Sequence, residues 1–182
     1  MGLEATLERL SAALHGERVR FALIGGLALA ARGALRATGD IDLLVDAEDS
    51  ERLDALMEAL GYERRYRSED VAQYRAASAE LSDVDFLFAR RPYARAMLER
   101  ARDEELGLGL SLRVVEAEDL IGLKVQSSSN DPRRRTLDMA DVERLLEASA
   151  ERLDLGRIRE YFEIFERGAE LDEMLARLRS AT

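Results

Sequence analysis

"FALIGGLALAARGALRATGDIDLLVD", residues 21–46, joins two features that an apolar stretch ordinarily avoids: a Gly-Gly pair near its start and an Asp-Ile-Asp near its end. Glycine weakens a helix or strand, and aspartate is depleted from strands. Each feature costs stability, so each asks for a chemical reason. Side chains alternate between the faces of a strand. A strand over Asp40–Val45 therefore turns Ile41, Leu43 and Val45 toward a core and sets Asp40 and Asp42 together on the opposite face. Two neighbouring carboxylates repel, and burial adds to the cost. A divalent cation removes that repulsion, and Mg²⁺ is characteristically held by one or two carboxylates plus substrate phosphates. Alone, an Asp-x-Asp on an exposed strand edge serves equally to solubilise it.

A second stretch repeats the arrangement. In "SDVDFLF", residues 82–88, Val84, Phe86 and Phe88 share one face and Asp83 and Asp85 the other. If the two strands lie side by side, three or four carboxylates meet on one patch. Two metal ions bridged by carboxylates form the clamp used for in-line displacement at phosphorus. Gly25 and Gly26 supply a matching part: they follow a strand, open a helix and let a phosphate approach the backbone closely. A phosphate cradle and a metal clamp together imply a nucleoside triphosphate and Mg²⁺ or Mn²⁺.

Apolar periodicity orders the rest of the chain. Helices are expected over Leu3–Leu14, Gly26–Gly33, Ser50–Leu60 (stopped by Gly61) and Pro92–Arg102. Strands are expected over Val19–Ile24, Asp40–Val45, Arg64–Arg67, Ala72–Ala76, Val84–Phe88 and Ser111–Val115, with the three from Arg64 to Phe88 as an antiparallel meander. Beyond residue 116 the pattern turns helical: Ala117–Ser127, Pro132–Ala148, Leu155–Arg167 and Ala169–Leu178, with Asp131 as N-cap before Pro132. The fold class is α+β: a small mixed sheet flanked by helices over residues 1–116, then a helical part over 117–182.

The 182 residues contain no cysteine, which fits a reducing cytoplasm, and no apolar run approaches the ~20 residues a membrane helix needs. The first residues read as an amphipathic helix carrying acids, not as a signal peptide. Net charge is −10, which speaks against a non-specific coat for nucleic acid. The basic residues are nonetheless clustered in "YERRYR" (62–67), "ARRPYARAMLERAR" (89–102) and "DPRRRT" (131–136), each a solvated face or a grip for polyphosphate. The single histidine, His15, falls in the first helix and offers neither a zinc site nor a Ser/His/Asp arrangement.

"IGG" followed by "DIDL" resembles the signature of the DNA polymerase β-like nucleotidyltransferase superfamily, and the wording "RATGDIDLLV" resembles the minimal nucleotidyltransferases that include toxins of abortive-infection, type IV toxin–antitoxin systems. The resemblance implies that Asp40, Asp42 and a third carboxylate bind the metals, with Asp85 matching the third better than Asp83. It also implies a later helical half with a lysine, an arginine and an Arg/Asp-x-x-Asp helix. "EDLIGLKVQSSSNDPRRRTLDMADVERLL" offers Lys124, Arg134 or Arg135, Asp138 and Asp141, although Leu137 stands where the toxins have an arginine. Asp138 and Asp141 share a helix face and either orient Lys124 or an arginine toward the triphosphate, join in catalysis, or form surface ion pairs. Lys124 is expected to contact phosphate, while its apolar flanks equally suit a snorkelling lysine. Arg36 and Thr38 are placed to steady the phosphates or the metal loop.

The expected activity is transfer of a nucleoside monophosphate from an NTP to an acceptor hydroxyl, catalysed by Asp40, Asp42 and Asp85, with Gly25, Gly26, Arg36, Thr38, Lys124 and Arg135 on the nucleotide. The toxin resemblance implies an RNA 3′ end as acceptor and an antitoxin as partner. Other acceptors are a hydroxyl of a small molecule such as an antibiotic, which the acidic balance suits, or a protein hydroxyl. A non-catalytic member that binds a nucleotide or a partner through the same fold is the alternative of a different class.

Overall fold

The apolar face of residues 41–45 lies at the middle of the sheet, and the rest of the α/β part is arranged around it. The computed structural model describes residues 2–107, 109–149 and 152–181. The chain divides into two compact units, Met1–Ala31 with Leu35–Val115, and Arg32–Ala34 with Glu116–Thr182.

The first unit runs α1 (Leu3–Gly16), β1 (Phe21–Ile24), α2 (Gly25–Ala31), β2 (Ile41–Asp46), α3 (Ser50–Ala59), β3 (Tyr62–Arg67), β4 (Val71–Ala76), β5 (Val84–Ala89), α4 (Pro92–Arg100), β6 (Arg102–Glu105) and β7 (Ser111–Val114). Its strands form one mixed sheet in the order β3-β4-β5-β2-β1-β7-β6. The hairpin pairs β3–β4 and β4–β5 are antiparallel, giving the expected meander. The pair β2–β5 is parallel, and its register matches Ile41 with Val84, Leu43 with Phe86 and Val45 with Phe88. These six apolar side chains are all buried. Burying each is worth roughly 1.5–3 kcal/mol, so a one-residue slip that turned both rows to solvent would be prohibitive. Register, and with it the position of the intervening aspartates, is fixed by the core. Gly61, at φ +85°, turns the chain out of α3 as expected.

Some boundaries differ from the sequence expectation. The strand expected over Asp40–Val45 is Ile41–Asp46; Asp46 is fully buried at its end, where its carboxylate accepts the Glu48 N–H and pairs with Arg20. The helix expected to reach Arg102 stops at Arg100, and Arg102–Glu105 is an edge strand paired with β7. That strand, "RDEE", carries no apolar alternation; a charged edge discourages pairing with another chain.

The second unit is helical: α5 (Ala117–Asn130), α6 (Arg135–Ser149), α7 (Leu155–Ile164) and α8 (Gly168–Ala181). The helix expected from Pro132 splits into a 3₁₀ turn, Pro132–Arg134, and α6, with Asp131 capping the turn through the Arg133 N–H at 3.1 Å. Ile121, Val125, Val142, Leu145, Ile158, Phe162 and Leu171 are buried in this unit. Gly122 lets α5 and α7 meet closely, since a Cβ there would lie 2.7 Å from the Tyr161 ring, and Tyr161 OH donates to the buried Asp119 at 2.7 Å. Among the described residues no helix is long and apolar enough to cross a membrane.

Candidate active site

The site starts where β1 passes into α2. The antiparallel register pairs Ile24, the last residue of β1, with Asp42 of β2, so the chain turns into α2 directly beside the Asp42 side chain. The turn needs a positive φ, +65° at Gly25, a conformation unfavourable for any residue with a Cβ. It also needs space: a Cβ on Gly25 would lie 1.9 Å from Asp42 Oδ2, and one on Gly26 would lie 2.6 Å from Thr38 Cβ. The Gly-Gly pair thus admits the Asp42 carboxylate on one side and the segment returning to β2 on the other. Thr38 Oγ1 lies 3.4 Å from the Asp40 carbonyl oxygen in that returning segment, which also carries the half-buried Arg36.

Parallel pairing of β2 with β5 puts Asp42 opposite Asp85, on the face away from Leu43 and Phe86. Asp85 in turn faces Gln73 of β4, whose Nε2 donates to Asp85 Oδ2 at 2.9 Å. Asp83 has a different task. Its carboxylate accepts the Ala76 N–H at 2.9 Å and its carbonyl accepts the Ile41 N–H at 3.0 Å, so it fastens the start of β5 to its neighbours. Asp40 stands exposed just before β2, and a cleft of about 270 Å³ is lined by Asp40, Asp83, Asp85, Gln73, Tyr74, Arg65 and Arg75. Tyr74 is not available for proton transfer there: burial, and then its hydrogen bond to Asp54 of α3, push its pKa well up, so the phenol stays neutral.

Among the described residues no three Asp, Glu, His or Cys side chains form a ready-made metal cage. The donor set nevertheless fits a hard divalent ion. Asp42 and Asp85 present carboxylate oxygens from adjacent strands, with the Asp42 carboxylate seated over the side-chain-free Gly25. Mg²⁺ usually keeps several ligand positions for water and substrate phosphate, so a partial protein shell is what such a site requires.

The residues expected from the second unit are gathered elsewhere in that unit. Lys124 Nζ lies 3.1 Å from Asp138 Oδ1 and 2.8 Å from Asp141 Oδ2. Both carboxylates are fully buried, and Lys124 is 7% exposed. Arg134 approaches Asp138 at 3.4 Å and Arg144 approaches Asp141 at 3.0 Å. The i, i+3 spacing of the two aspartates does place them on one face, as expected. Arg135 donates to Glu170 of α8 at 2.8 Å. The ammonium and guanidinium groups expected on the nucleotide are therefore engaged by carboxylates of their own unit.

Gln73, Tyr74 and Arg75 are the cleft residues that sequence reading did not single out, and Arg65 was read only as part of a basic cluster. Gln73 and Arg75 alternate along β4 and so share a face, which was a readable signal once β4 was known to lie beside β5. Arg65 belongs to the basic cluster "YERRYR", but its place in the cleft depends on an irregularity of the β3–β4 register between Arg64 and Tyr66 that the sequence pattern does not show.

A family model described as "Uncharacterised nucleotidyltransferase" matches residues 1–171. The chain belongs to that nucleotidyltransferase family. No curated protein matches its sequence. Solved structures agree on the fold, that of the polymerase β-like nucleotidyltransferases. The antibiotic-resistance factor ANT(2″)-Ia in solution is 17% identical, with a TM-score of 0.64 over 97% of this chain and 95% of that one. The same factor in complex with adenylyl-2″-tobramycin gives 16% identity and 0.64 over 87% and 94%. The lincosamide antibiotic adenylyltransferase LnuA, lincomycin-bound, gives 14% and 0.57 over 79% and 96%. At such identities the likeness is one of fold. The likeness of this nucleotidyltransferase to the toxins rests on the motif alone.

Proposed function

We propose that this nucleotidyltransferase moves a nucleoside monophosphate from an NTP to an acceptor hydroxyl and releases pyrophosphate. The observation that carries the reading is the parallel register of Asp42 with Asp85, with the Asp42 carboxylate seated against a glycine where a Cβ would displace it. A β2–β5 pair serving only to hold the core would not set two carboxylates side by side.

In this reading Asp40, Asp42 and Asp85 hold Mg²⁺ or Mn²⁺, which when bound supplies neutralising charge for the triphosphate and makes the acceptor hydroxyl more acidic. Gly25 and Gly26, which seat Asp42 and Thr38, stand beside the triphosphate, and Thr38 and Arg36, on the segment between α2 and β2, border it. Gln73 fixes the orientation of the Asp85 carboxylate, which accepts the proton of the attacking hydroxyl. The acceptor oxygen forms a bond to the α-phosphorus as the bond from that phosphorus to the bridging oxygen breaks, and pyrophosphate leaves with the electron pair. Lys124 and Arg135 act indirectly: the ion pairs of Lys124 hold α5 to α6, and that of Arg135 holds α6 to α8.

Two acceptor classes stand. A small hydroxyl-bearing molecule is supported by the similar structure that contains an adenylylated small molecule over most of both chains' lengths. An RNA 3′ end, with an antitoxin as regulator, is supported by the toxin-like motif. The test is transfer of label from the four α-³²P NTPs, with Mg²⁺ or Mn²⁺, into a pool of small hydroxyl compounds and into bulk RNA. The expected result is labelled acceptor and pyrophosphate in equal amounts, reduced at least about 100-fold in Asp42→Asn. Full transfer by Asp42→Asn would overturn the reading.

A further inference from the structure

The cleft beside Asp85 carries cations as well as carboxylates, and the way the hairpin places them is selective. "YERRYR" on β3 has three arginines, Arg64, Arg65 and Arg67, which a regular strand would divide between its two faces. Arg64 donates to Asp54 of α3 at 2.6 Å. Arg67 donates to the Ser50 carbonyl at 3.0 Å and lies over the Phe88 ring. These two arginines are used in holding the hairpin to the rest of the unit. Arg65 differs. The β3–β4 register runs Arg64 with Tyr74, then Tyr66 with Gln73, leaving Arg65 as the extra residue of a bulge. Bulges re-aim side chains and are over-represented next to active sites. Here Arg65 joins Arg75 in lining the same cleft as Asp40, Gln73 and Asp85. Arg75 stands two residues from Gln73 on β4 and so on the same face as the glutamine that holds Asp85.

We propose that Arg65 and Arg75 bind an anionic group of the acceptor, a phosphate monoester or diester lying near the hydroxyl that Asp85 deprotonates. This rests on the transferase reading above and narrows its acceptor. Guanidinium groups match phosphate oxygens with paired N–H donors, and two of them on adjacent strands are a specific phosphate grip. They stand on the Asp85 and Gln73 side of the sheet, whereas the glycine cradle lies across β2 at Gly25, so the grip serves the acceptor and not the triphosphate. At their own position the two guanidinium groups disfavour an ammonium; the cleft as a whole, with Asp40, Asp83 and Asp85, carries three carboxylates to two guanidinium groups. A phosphate beside a hydroxyl occurs both at the end of an RNA strand and in a free sugar phosphate, and the test separates the two.

Calorimetric titration of wild type and Arg65→Gln/Arg75→Gln, each with Mg²⁺, uses three probes: ribose 5-phosphate, a trinucleotide RNA with a free 3′ hydroxyl, and tobramycin. The expected result is binding of at least one phosphate probe by wild type, weakened tenfold or more in the double variant, with tobramycin no tighter than the phosphate probes. Preference for the trinucleotide assigns the acceptor to RNA, and equal binding assigns it to small phosphate esters; either supports the proposal. Failure of both phosphate probes to bind, or equal binding by the double variant, overturns it. NTP titrated into the same preparations keeps the two claims apart. The double variant should bind NTP as wild type does, whereas Asp42→Asn should not. If the double variant loses NTP as well, the arginines hold the triphosphate and this inference fails while the transferase reading survives. If wild type binds no NTP, the transferase reading fails.

Discussion

A methyl group added to Gly25 would stand 1.9 Å from Asp42 Oδ2, closer than any non-bonded pair tolerates. The glycine and the carboxylate are therefore one structural unit, although they lie on different elements. Gly25→Ala has two penalties: a left-handed conformation at φ +65°, costing roughly 1–2 kcal/mol for an L residue, and displacement of Asp42. The expected outcome is a loss of about 1–3 kcal/mol of stability by urea denaturation. Metal-dependent NTP binding should fall tenfold or more in protein that is still folded. Loss of stability without loss of binding would separate the glycine from the site.

Asp42 and Asp85 face each other across β2 and β5, a like-charge pair that the metal-free fold must bear. Like charges directly opposite destabilise a sheet, and cross-strand pair terms are of the order of 0.2–1 kcal/mol. Asp85→Asn should thus leave the metal-free protein as stable as wild type or up to about 1 kcal/mol more stable. The same variant should lose nucleotidyl transfer. A thermal melt without metal, set beside the transfer assay, checks both halves, and a clear fall in Tm would show that the carboxylate is structural.

Lys124 holds two fully buried carboxylates, Asp138 and Asp141. Removing one partner of a buried ion pair leaves an uncompensated charge and typically costs 3–5 kcal/mol, whereas replacing the whole group by apolar residues is often neutral. Lys124→Met is expected to destabilise by about 3–5 kcal/mol in chemical denaturation, and Lys124→Met/Asp138→Leu/Asp141→Leu to recover most of it. If Lys124→Met leaves stability untouched and instead weakens NTP binding, the lysine contacts the nucleotide directly.

Glu170 ties α8 to its surroundings. Its carboxylate accepts from Arg167 Nε at 2.7 Å and from Arg135 at 2.8 Å. The Arg167 hydrogen bond, outweighing the opposing effect of burial, holds its pKa below the ordinary 4.5. A carboxyl with a lowered folded pKa stabilises the fold fully above its unfolded value and ceases to do so as pH falls through the folded one. Wild type should therefore lose stability below about pH 4.5 more steeply than Glu170→Gln, measured as Tm against pH; parallel acid limbs would remove Glu170 from the account.

The aspartate pattern was legible because a strand's period of two sorts side chains by face regardless of what the strand pairs with. Asp40, Asp42 and Asp85 could be read as one-sided before any topology was known. That β2 and β5 lie together was not legible, since their pairing spans the whole α3–β4 stretch and depends on non-local packing. Strand β6 escaped for the opposite reason: "RDEE" has no apolar face to give a period. The Gly-Gly pair was read as a phosphate cradle; the fold adds a second cause, the space taken by Asp42 and Thr38. For Lys124 the apolar flanks suited a snorkelling surface lysine, and only the α5–α6 packing shows that it is buried with its charge on Asp138 and Asp141. The cluster "YERRYR" was visible as a basic segment, but the bulge that places Arg65 was not, because every residue of it suits a regular exposed strand.

The most direct test of the central claim is thermal stability with each NTP, with and without Mg²⁺, for wild type and Asp40→Ala/Asp42→Ala. A ligand at 100 times its Kd adds about 2.7 kcal/mol, a shift of several degrees in a chain of this size. Stabilisation is expected to require both NTP and metal and to vanish in the double variant. NTP stabilisation that needs no metal, or that survives loss of both aspartates, would contradict the claim.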